Sequence, residues 1–378
     1  MIRRGLAIIV VTLAAGARGV RAQGTLSTQG FGYAPGQISA QALGLGGATA
    51  ESDPLSTIND AALLNWGRSG VYFQATPEFR SVETPTGSDN TTTIRFPIFS
   101  GAFTAGSRLV FGVSSSTLLD RSWETSFTGY LHLPAGDSAL YTQNFISKGG
   151  INDIRLAGAG AVTDWLHLGA GMHFFTGQNR LQVQALFVDS AFTAFQQTTN
   201  LSFSGTGVSA AIELRPLANL AIAGSYRHGG TISAYSGDTL LSHASIPDRY
   251  GGGISLLAWP VIMIAARAEF VGWSSMNGLA TSTVKAVDSW EYDGGIELRG
   301  KSLIGVDMPI RLGYRQRTLP FQVVGETVTE RSYSFGTALN LARGRSRIDF
   351  TVARADRSAD VDVKEHGWIV AFGFLVRP

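Results

Sequence analysis

The sequence predicts an all-β fold, a transmembrane antiparallel β-barrel of about fourteen strands preceded by a plug segment. Three observations predict it. From residue 69 to the C-terminus apolar and polar residues alternate with period two, in segments separated by turn residues. The connections between those segments mostly alternate between short and long. Only 15% of the 378 residues are charged, where a soluble domain carries about a quarter, so part of the surface does not face water. A hydrophobic content of 44% excludes disorder, and the lack of cysteine excludes a disulfide scaffold or a thiolate metal site.

The chain opens with Arg3 and Arg4, a ten-residue apolar run from Leu6 to Ala15, and small residues at Val20 and Ala22. This order of charge, apolar run and small residues predicts a secretory signal peptide over 1–22. Ten apolar residues cannot cross about 30 Å of hydrocarbon as a helix. Removing Arg3, Arg4, Arg18 and Arg21 leaves 26 basic against 28 acidic residues, so the net charge moves from +2 to −2. The basic balance of the whole chain therefore gives no reason to expect nucleic acid. Beyond residue 22 no apolar run is long enough for a helical span, which leaves strands as the way to cross a membrane.

Residues 23–68 do not alternate. They are rich in Gly and Ala, with Ala42-Leu43-Gly44-Leu45-Gly46-Gly47-Ala48 at the centre and a short helical possibility at 54–64. Small residues let a chain pack closely against surrounding walls, and we read 23–68 as a plug, or hatch, inside the lumen of a barrel formed by 69–378.

The strands are expected near 69–82, 91–104, 107–117, 151–163, 165–176, 201–215, 217–230, 246–258, 261–273, 288–299, 308–318, 331–343, 346–356 and 366–377. The alternation is clear in the later ones. Residues 262–270 set Ile262, Ile264, Ala266, Ala268 and Phe270 against Arg267 and Glu269. Residues 290–299 set Trp290, Tyr292, Ile296 and Leu298 against Glu291, Asp293, Glu297 and Arg299. Residues 308–317 set Met308, Ile310, Leu312 and Tyr314 against Arg311, Arg315 and Arg317. Tight turns fall at 105–106, 164, 216, 259–260 and 344–345, with a longer connection at 300–307. The intervening gaps at 83–90, 118–150, 177–200, 231–245, 274–287, 319–330 and 357–365 are longer. A soluble sandwich also alternates but has no reason to keep this parity. Tyr226, Trp290, Tyr292, Tyr314, Tyr333 and Trp368 lie on apolar faces near strand ends, as interfacial girdles do.

The Ala42–Ala48 stretch, followed after a polar and acidic spacer by Asn59-Asp60-Ala61 just before the first strand, resembles the N-terminal hatch of the FadL family of outer-membrane transporters, a group that includes PorV-like proteins. Gly46, Gly47, Asn59, Asp60 and Ala61 carry the likeness. The family's Asn-Pro-Ala element has Asp60 in place of proline. The resemblance implies a bacterial outer-membrane channel for passive uptake of hydrophobic or amphipathic small molecules such as long-chain fatty acids. Its other branch implies a non-transporting protein that holds exported or surface proteins at the outer membrane. The partners implied are outer-membrane lipid and a hydrophobic ligand, or else a surface protein.

Nothing in the sequence points to an enzyme, a cofactor or a metal. The six histidines are scattered, with neither an H-E-x-x-H nor a G-x-S-x-G motif. His167 and His173 share a strand face roughly 20 Å apart, too far to hold one ion, and are expected to face the lumen. The ionisable residues on adjacent strands form either a ladder of ion pairs or a ladder with one arginine free for a substrate carboxylate. Arg311 and Arg315 are the candidates because arginines outnumber acids on their own strand, with Arg267 nearby. Segment 118–150 is unusually apolar for a loop. With Trp123 and Phe127 it reads either as two strands that raise the barrel wall or as a surface that captures a lipophilic substrate.

Overall fold

The computed structural model describes Leu26 and residues 31–84, 87–132, 138–188, 192–279, 285–300, 308–323, 325–341, 344–359 and 364–378. The leader expected at 1–22 and most of 23–30 lie outside the described residues.

Sixteen antiparallel strands form one sheet. They are β1 (Gly70–Thr84), β2 (Gly87–Ala105), β3 (Leu109–Asp120), β4 (Trp123–His132), β5 (Ser138–Ala161), β6 (Leu166–Phe187), β7 (Phe195–Leu217) and β8 (Leu220–Ser236). The second half comprises β9 (Thr239–Ser245), β10 (Arg249–Trp259), β11 (Ile262–Val271), β12 (Ser289–Leu298), β13 (Ile310–Val323), β14 (Glu326–Leu341), β15 (Ser346–Ser358) and β16 (Lys364–Val376). β1 pairs with β16, and β8 pairs with β10, so the sheet closes on itself. β4 and β9 stand outside the ring as upper arms of β5 and β8, which leaves fourteen strands in the barrel. Closure leaves the fourteen-strand ring without a free edge, the condition under which strands can cross lipid.

The outer face carries the apolar half of the alternation. Phe111, Val113, Leu156, Leu168, Met172, Val208, Ile264, Leu312 and Phe335 are all exposed. Tyr226, Tyr250, Phe270, Trp290 and Tyr292 follow one another around β8 and β10–β12, with ring centroids 4.8 to 6.3 Å apart. They form an aromatic belt of the kind that sits at a membrane interface.

The wall is not of even height. β11 and β12 have 10 residues each, whereas β5, β6 and β7 have 24, 22 and 23. About 10 residues suffice to cross a bilayer as a tilted strand, so β5–β7 continue well beyond it. β4 pairs with the first part of β5, from Trp123 opposite Ser147 to His132 opposite Ser138. Segment 118–150 is thus the wall-raising hairpin, and the gap expected at 177–200 is largely strand. The alternation does continue there, but its polarity changes faces, so a search for one continuous apolar face stops at residue 176.

Candidate functional site

Residues 31–63, within the segment read as a hatch, are buried almost throughout and bond to residues of β1, β3, β5, β7, β8, β10, β13, β14 and β15. The one-turn helix of the hatch, Ala40–Leu43, is capped by the Ser39 side chain. The Ala40 carbonyl accepts from Thr351 of β15 at 2.7 Å and its amide donates to the Tyr72 hydroxyl of β1 at 3.0 Å. Gly46 and Gly47 have φ of 68° and 104°, which side chains tolerate poorly. A Cβ on Gly46 would lie 2.4 Å from the Tyr314 carbonyl of β13, and one on Gly47 would lie 2.6 Å from Asp293. The glycine run thus docks across β12–β14, with the Gly46 amide donating to Ser334 of β14 at 3.1 Å.

Asn59 caps the 3₁₀ turn Ala61–Trp66 by accepting from the Ala62 amide, and donates to Glu51 and to the Gly224 carbonyl of β8. Asp60 bonds Arg155 of β5 at 3.0 Å and Ser209 of β7 at 2.5 Å. At the position where the resembling family carries proline, this chain therefore has a carboxylate bonded to the wall. Ala61 is fully buried, and Gly169 of β6 leaves room for its amide.

The hatch is also held near its start. The Tyr33 ring lies under the guanidinium groups of Arg95, Arg317 and Arg357, 4.7 to 5.0 Å from its centroid. Gln37, with φ of 57°, donates to Ser116 and Asp153 and accepts from Arg227.

Around the hatch the inward charges pair off. Arg311 bonds Glu297 at 2.7 Å and Asp349 at 3.0 Å. Arg315 bonds Glu291 at 2.5 Å. Arg267 reaches Glu291 and Asp293 at 2.6 Å each, and also pairs with Glu269 and Glu51. All three candidate arginines are thus engaged by carboxylates, and this geometry is the ladder. The register explains it, because β12 sets Glu291, Asp293 and Glu297 directly opposite Arg317, Arg315 and Arg311 of β13. Counting charges on one strand alone had suggested a surplus.

His167 and His173 both face inward on β6 and are buried. His173 Nδ1 lies 2.8 Å from Asp153 and its Nε2 lies 2.9 Å from Ser209. The sequence did not reveal this cluster, because its members sit on β5, β6, β7 and the hatch.

Above the ladder the interior turns apolar. Leu26, Phe31, Leu119, Ile151, Phe175, Phe203, Trp273, Met276, Leu319 and Phe321 pack into one cluster that stoppers the mouth. On β6 the inward series runs from His167 and His173 to Phe175, Leu181, Val183 and Phe187, while the outward series runs from Leu168, Met172 and Phe174 to Gln178, Arg180, Gln182 and Gln184. β5 adds Tyr141 and Phe145 to the inner face, opposite Phe187 and Val183. Trp123, on β4, extends this face and is half-buried. Phe127 lies on β4 opposite Gln143, and its side chain is outside the described residues. The raised wall is therefore a screen with an apolar inner face beside the mouth.

Arg121, between β3 and β4, stands where the ladder meets this apolar region. Its guanidinium lies 5.6 Å from the Phe203 ring centroid, its stem touches the hatch at Gly32, and its Nε is buried without a hydrogen bond. It has no carboxylate partner among the described residues. Burial without a counter-charge lowers its pKa to about 10, which leaves it charged at neutral pH. Nothing in the sequence marked Arg121, which lies in the 118–150 gap away from the charged strands, and its chain neighbour Asp120 bonds Arg95.

Two cavities of about 40 Å³ lie between hatch and wall. One is lined by Gln37, Arg227, Glu269 and Trp273, the other by Tyr33, Ile38, Glu78 and Pro97. Each has room for ordered water, far short of the several hundred Å³ of a typical ligand pocket.

No protein-family model and no curated protein sequence matches the chain. Solved structures do. A Pseudomonas aeruginosa FadL homologue superposes with a TM-score of 0.63 at 10% identity, covering 92% of this chain and 99% of that one. The fold is that of the FadL-type outer-membrane barrels. The Ralstonia pickettii toluene transporter TbuX matches with a TM-score of 0.58 at 14% identity, over 90% of this chain and 98% of its own. The Pseudomonas putida toluene transporter TodX gives 0.57 at 13%, over the same shares. The fourteen-strand barrel expected from the sequence is thus the FadL-type barrel, spanning nearly the full length of these structures.

Proposed function

We propose that this chain is an outer-membrane channel for passive entry of hydrophobic small molecules, captured on the inner face of the raised wall and admitted when the hatch shifts. The observation that carries the reading is the exchange of polarity along β6, with Tyr141 and Phe145 of β5 on the same inner face. An inward apolar face above the membrane has no structural use in water, where burying apolar surface is worth roughly 25 cal/mol per Å², unless it receives an apolar guest. The FadL homologue and the two toluene transporters support the same direction. Amphipathic acids such as fatty acids form the narrower class that Arg121 fits, since a desolvated carboxylate needs a matching charge.

The reading is non-catalytic. Ser209, His173 and Asp153 have the spacing of a nucleophilic triad, but Ser209 is covered by Asp60 of the hatch, 2.5 Å away. A second reading, a non-transporting protein that holds a surface or exported partner, is favoured by one observation, the tightly filled lumen.

The test is entry of the hydrophobic dye N-phenyl-1-naphthylamine into cells that carry the chain in their outer membrane. Entry should be faster than in cells without it. The double variant Phe145→Ser with Val183→Ser should slow it roughly ten-fold, as expected for the loss of about 1.4 kcal/mol or more of apolar contact. Identical entry with and without the chain would move the assignment to the second reading.

A further inference from the structure

Hydrogen-bond direction fixes the protonation of the buried cluster around His173. Asp60 is ion-paired with Arg155 at 3.0 Å, so its carboxylate is ionised and only accepts. Ser209 therefore spends its single hydroxyl proton on Asp60, at 2.5 Å. The Ser209 oxygen can then only accept from His173, 2.9 Å away, which requires a proton on Nε2. Asp153 is held by Arg227 and Gln37 and likewise accepts, which requires a proton on Nδ1 at 2.8 Å. With the hatch docked as observed, His173 donates at both nitrogens and is an imidazolium.

We propose that docking of the hatch is proton-linked through His173, with Ser209 as the switch. Ser209 has one proton and two claimants. When His173 is charged, the proton goes to Asp60 and ties the hatch to β7. When His173 is neutral and keeps its Nδ1 proton for Asp153, Nε2 becomes an acceptor and takes the Ser209 proton. Two oxygens with no proton between them then face each other at the hatch, and the Asp60 corner is released.

The surroundings are built for this contact. Gly171 of β6 is the position where a Cβ would strike Ser209 Oγ at 2.7 Å and Asp60 at 3.0 Å, so glycine permits the approach. The charged groups facing the cluster are Asp153 and Arg155 on β5, Arg227 on β8 and Asp60 on the hatch, with Gln37 also from the hatch. Phe175 stacks on the imidazole at 5.9 Å, and the Arg227 guanidinium lies 5.5 Å from its ring centroid. Docking takes up the proton, so it is favoured at low pH and weakens as pH rises. The inference concerns the hatch alone and stands whichever ligand the lumen passes.

The test is amide hydrogen exchange across residues 57–66 of the full chain in detergent, expressed as protection relative to the intrinsic rate at about pH 5.5 and about pH 8.5, which bracket the usual imidazole range. The Thr57, Ala62 and Leu63 amides, which are bonded within the hatch, report on it. Wild-type protection should fall about ten-fold between the two conditions, as expected for one charge-assisted hydrogen bond. The Gly46 amide, bonded to Ser334 on the opposite wall, should not change. Asp60→Asn should keep its protection at both pH values, because an amide donates into Ser209 while Ser209 donates to a neutral imidazole. His173→Gln should remove the pH dependence by a different route, so one well-folded variant of the two is enough. Equal wild-type protection at both pH values overturns the proposal, as does a wild-type-sized fall in either variant.

Discussion

The lower and raised halves of β6 share one backbone pattern and have opposite chemistry. In both halves odd-numbered residues face inward and even-numbered residues outward, without a register shift along β6. In the lower half the outside is Leu168, Met172 and Phe174 and the inside is His167 and His173. In the raised half the outside is Arg180, Gln182 and Gln184 before Leu186 at the rim, and the inside is Leu181, Val183 and Phe187. The sheet is indifferent to which face is apolar, since each side chain has only to match the medium on its own side. The exchange therefore marks where lipid ends outside and where the filled, charged interior ends inside.

The largest expected effect lies in the charged interior. Arg267→Ala removes the cation shared by Glu51, Glu269, Glu291 and Asp293, all buried. Arg249 and Arg315 remain beside these carboxylates, but removing the central partner of such a buried cluster costs about 3–5 kcal/mol. The folded barrel should unfold at a markedly lower temperature, read from its migration on unheated gels. A variant as stable as the parent would mean that the lower interior is not held by ion pairs, which would remove one side of the comparison.

The outer faces give the next test. Met172→Arg places a charge against lipid and should destabilise by about 2–4 kcal/mol if the position is near the bilayer midplane. Gln182→Arg, on the same face of the same strand ten residues further on, should stay within about 0.5 kcal/mol. Chemical unfolding of the two variants in lipid vesicles measures the difference. Equal penalties would place lipid beside the raised half and would require another account of its apolar inner face.

Period two was legible wherever a strand keeps one apolar face, so the strands of the barrel could be read from the sequence, whereas the expected long gaps at 83–90, 118–150, 177–200, 231–245 and 319–330 are largely strand. The raised strands were not legible, because a reader who follows apolar residues loses the phase where Phe174 faces out and Phe175 faces in. The hatch glycines were legible as a close-packing element, though their partner β13 was not. Arg311 and Arg315 looked free only until cross-strand register was applied, and β12 carries its three acids in the very positions that face them. With the strands already assigned, aligning 291, 293 and 297 antiparallel to 317, 315 and 311 would have shown this. The Asp153–His173–Ser209–Asp60 cluster has no such signal, since closure of the barrel around the hatch is what brings its four residues together.

The smallest effect concerns the point where the two halves meet, at Arg121. If the raised screen gathers an apolar tail and Arg121 meets a carboxylate, Arg121→Gln should slow uptake of decanoate by about ten-fold while changing uptake of 1-decanol little. The magnitude is that of one charge-assisted hydrogen bond, about 1.5 kcal/mol, lost by the acid alone. Folding should be almost unaffected, because Arg121 has no buried carboxylate to strand, in contrast with Arg267. Labelled acid and alcohol compared in the same cells separate the possibilities. Equal slowing of both would mean that Arg121 acts through its packing on Phe203 and Gly32, making it part of the stopper. No slowing of either, with dye entry still dependent on the chain, would restrict the channel to neutral hydrophobic molecules and leave Arg121 without a part in recognition.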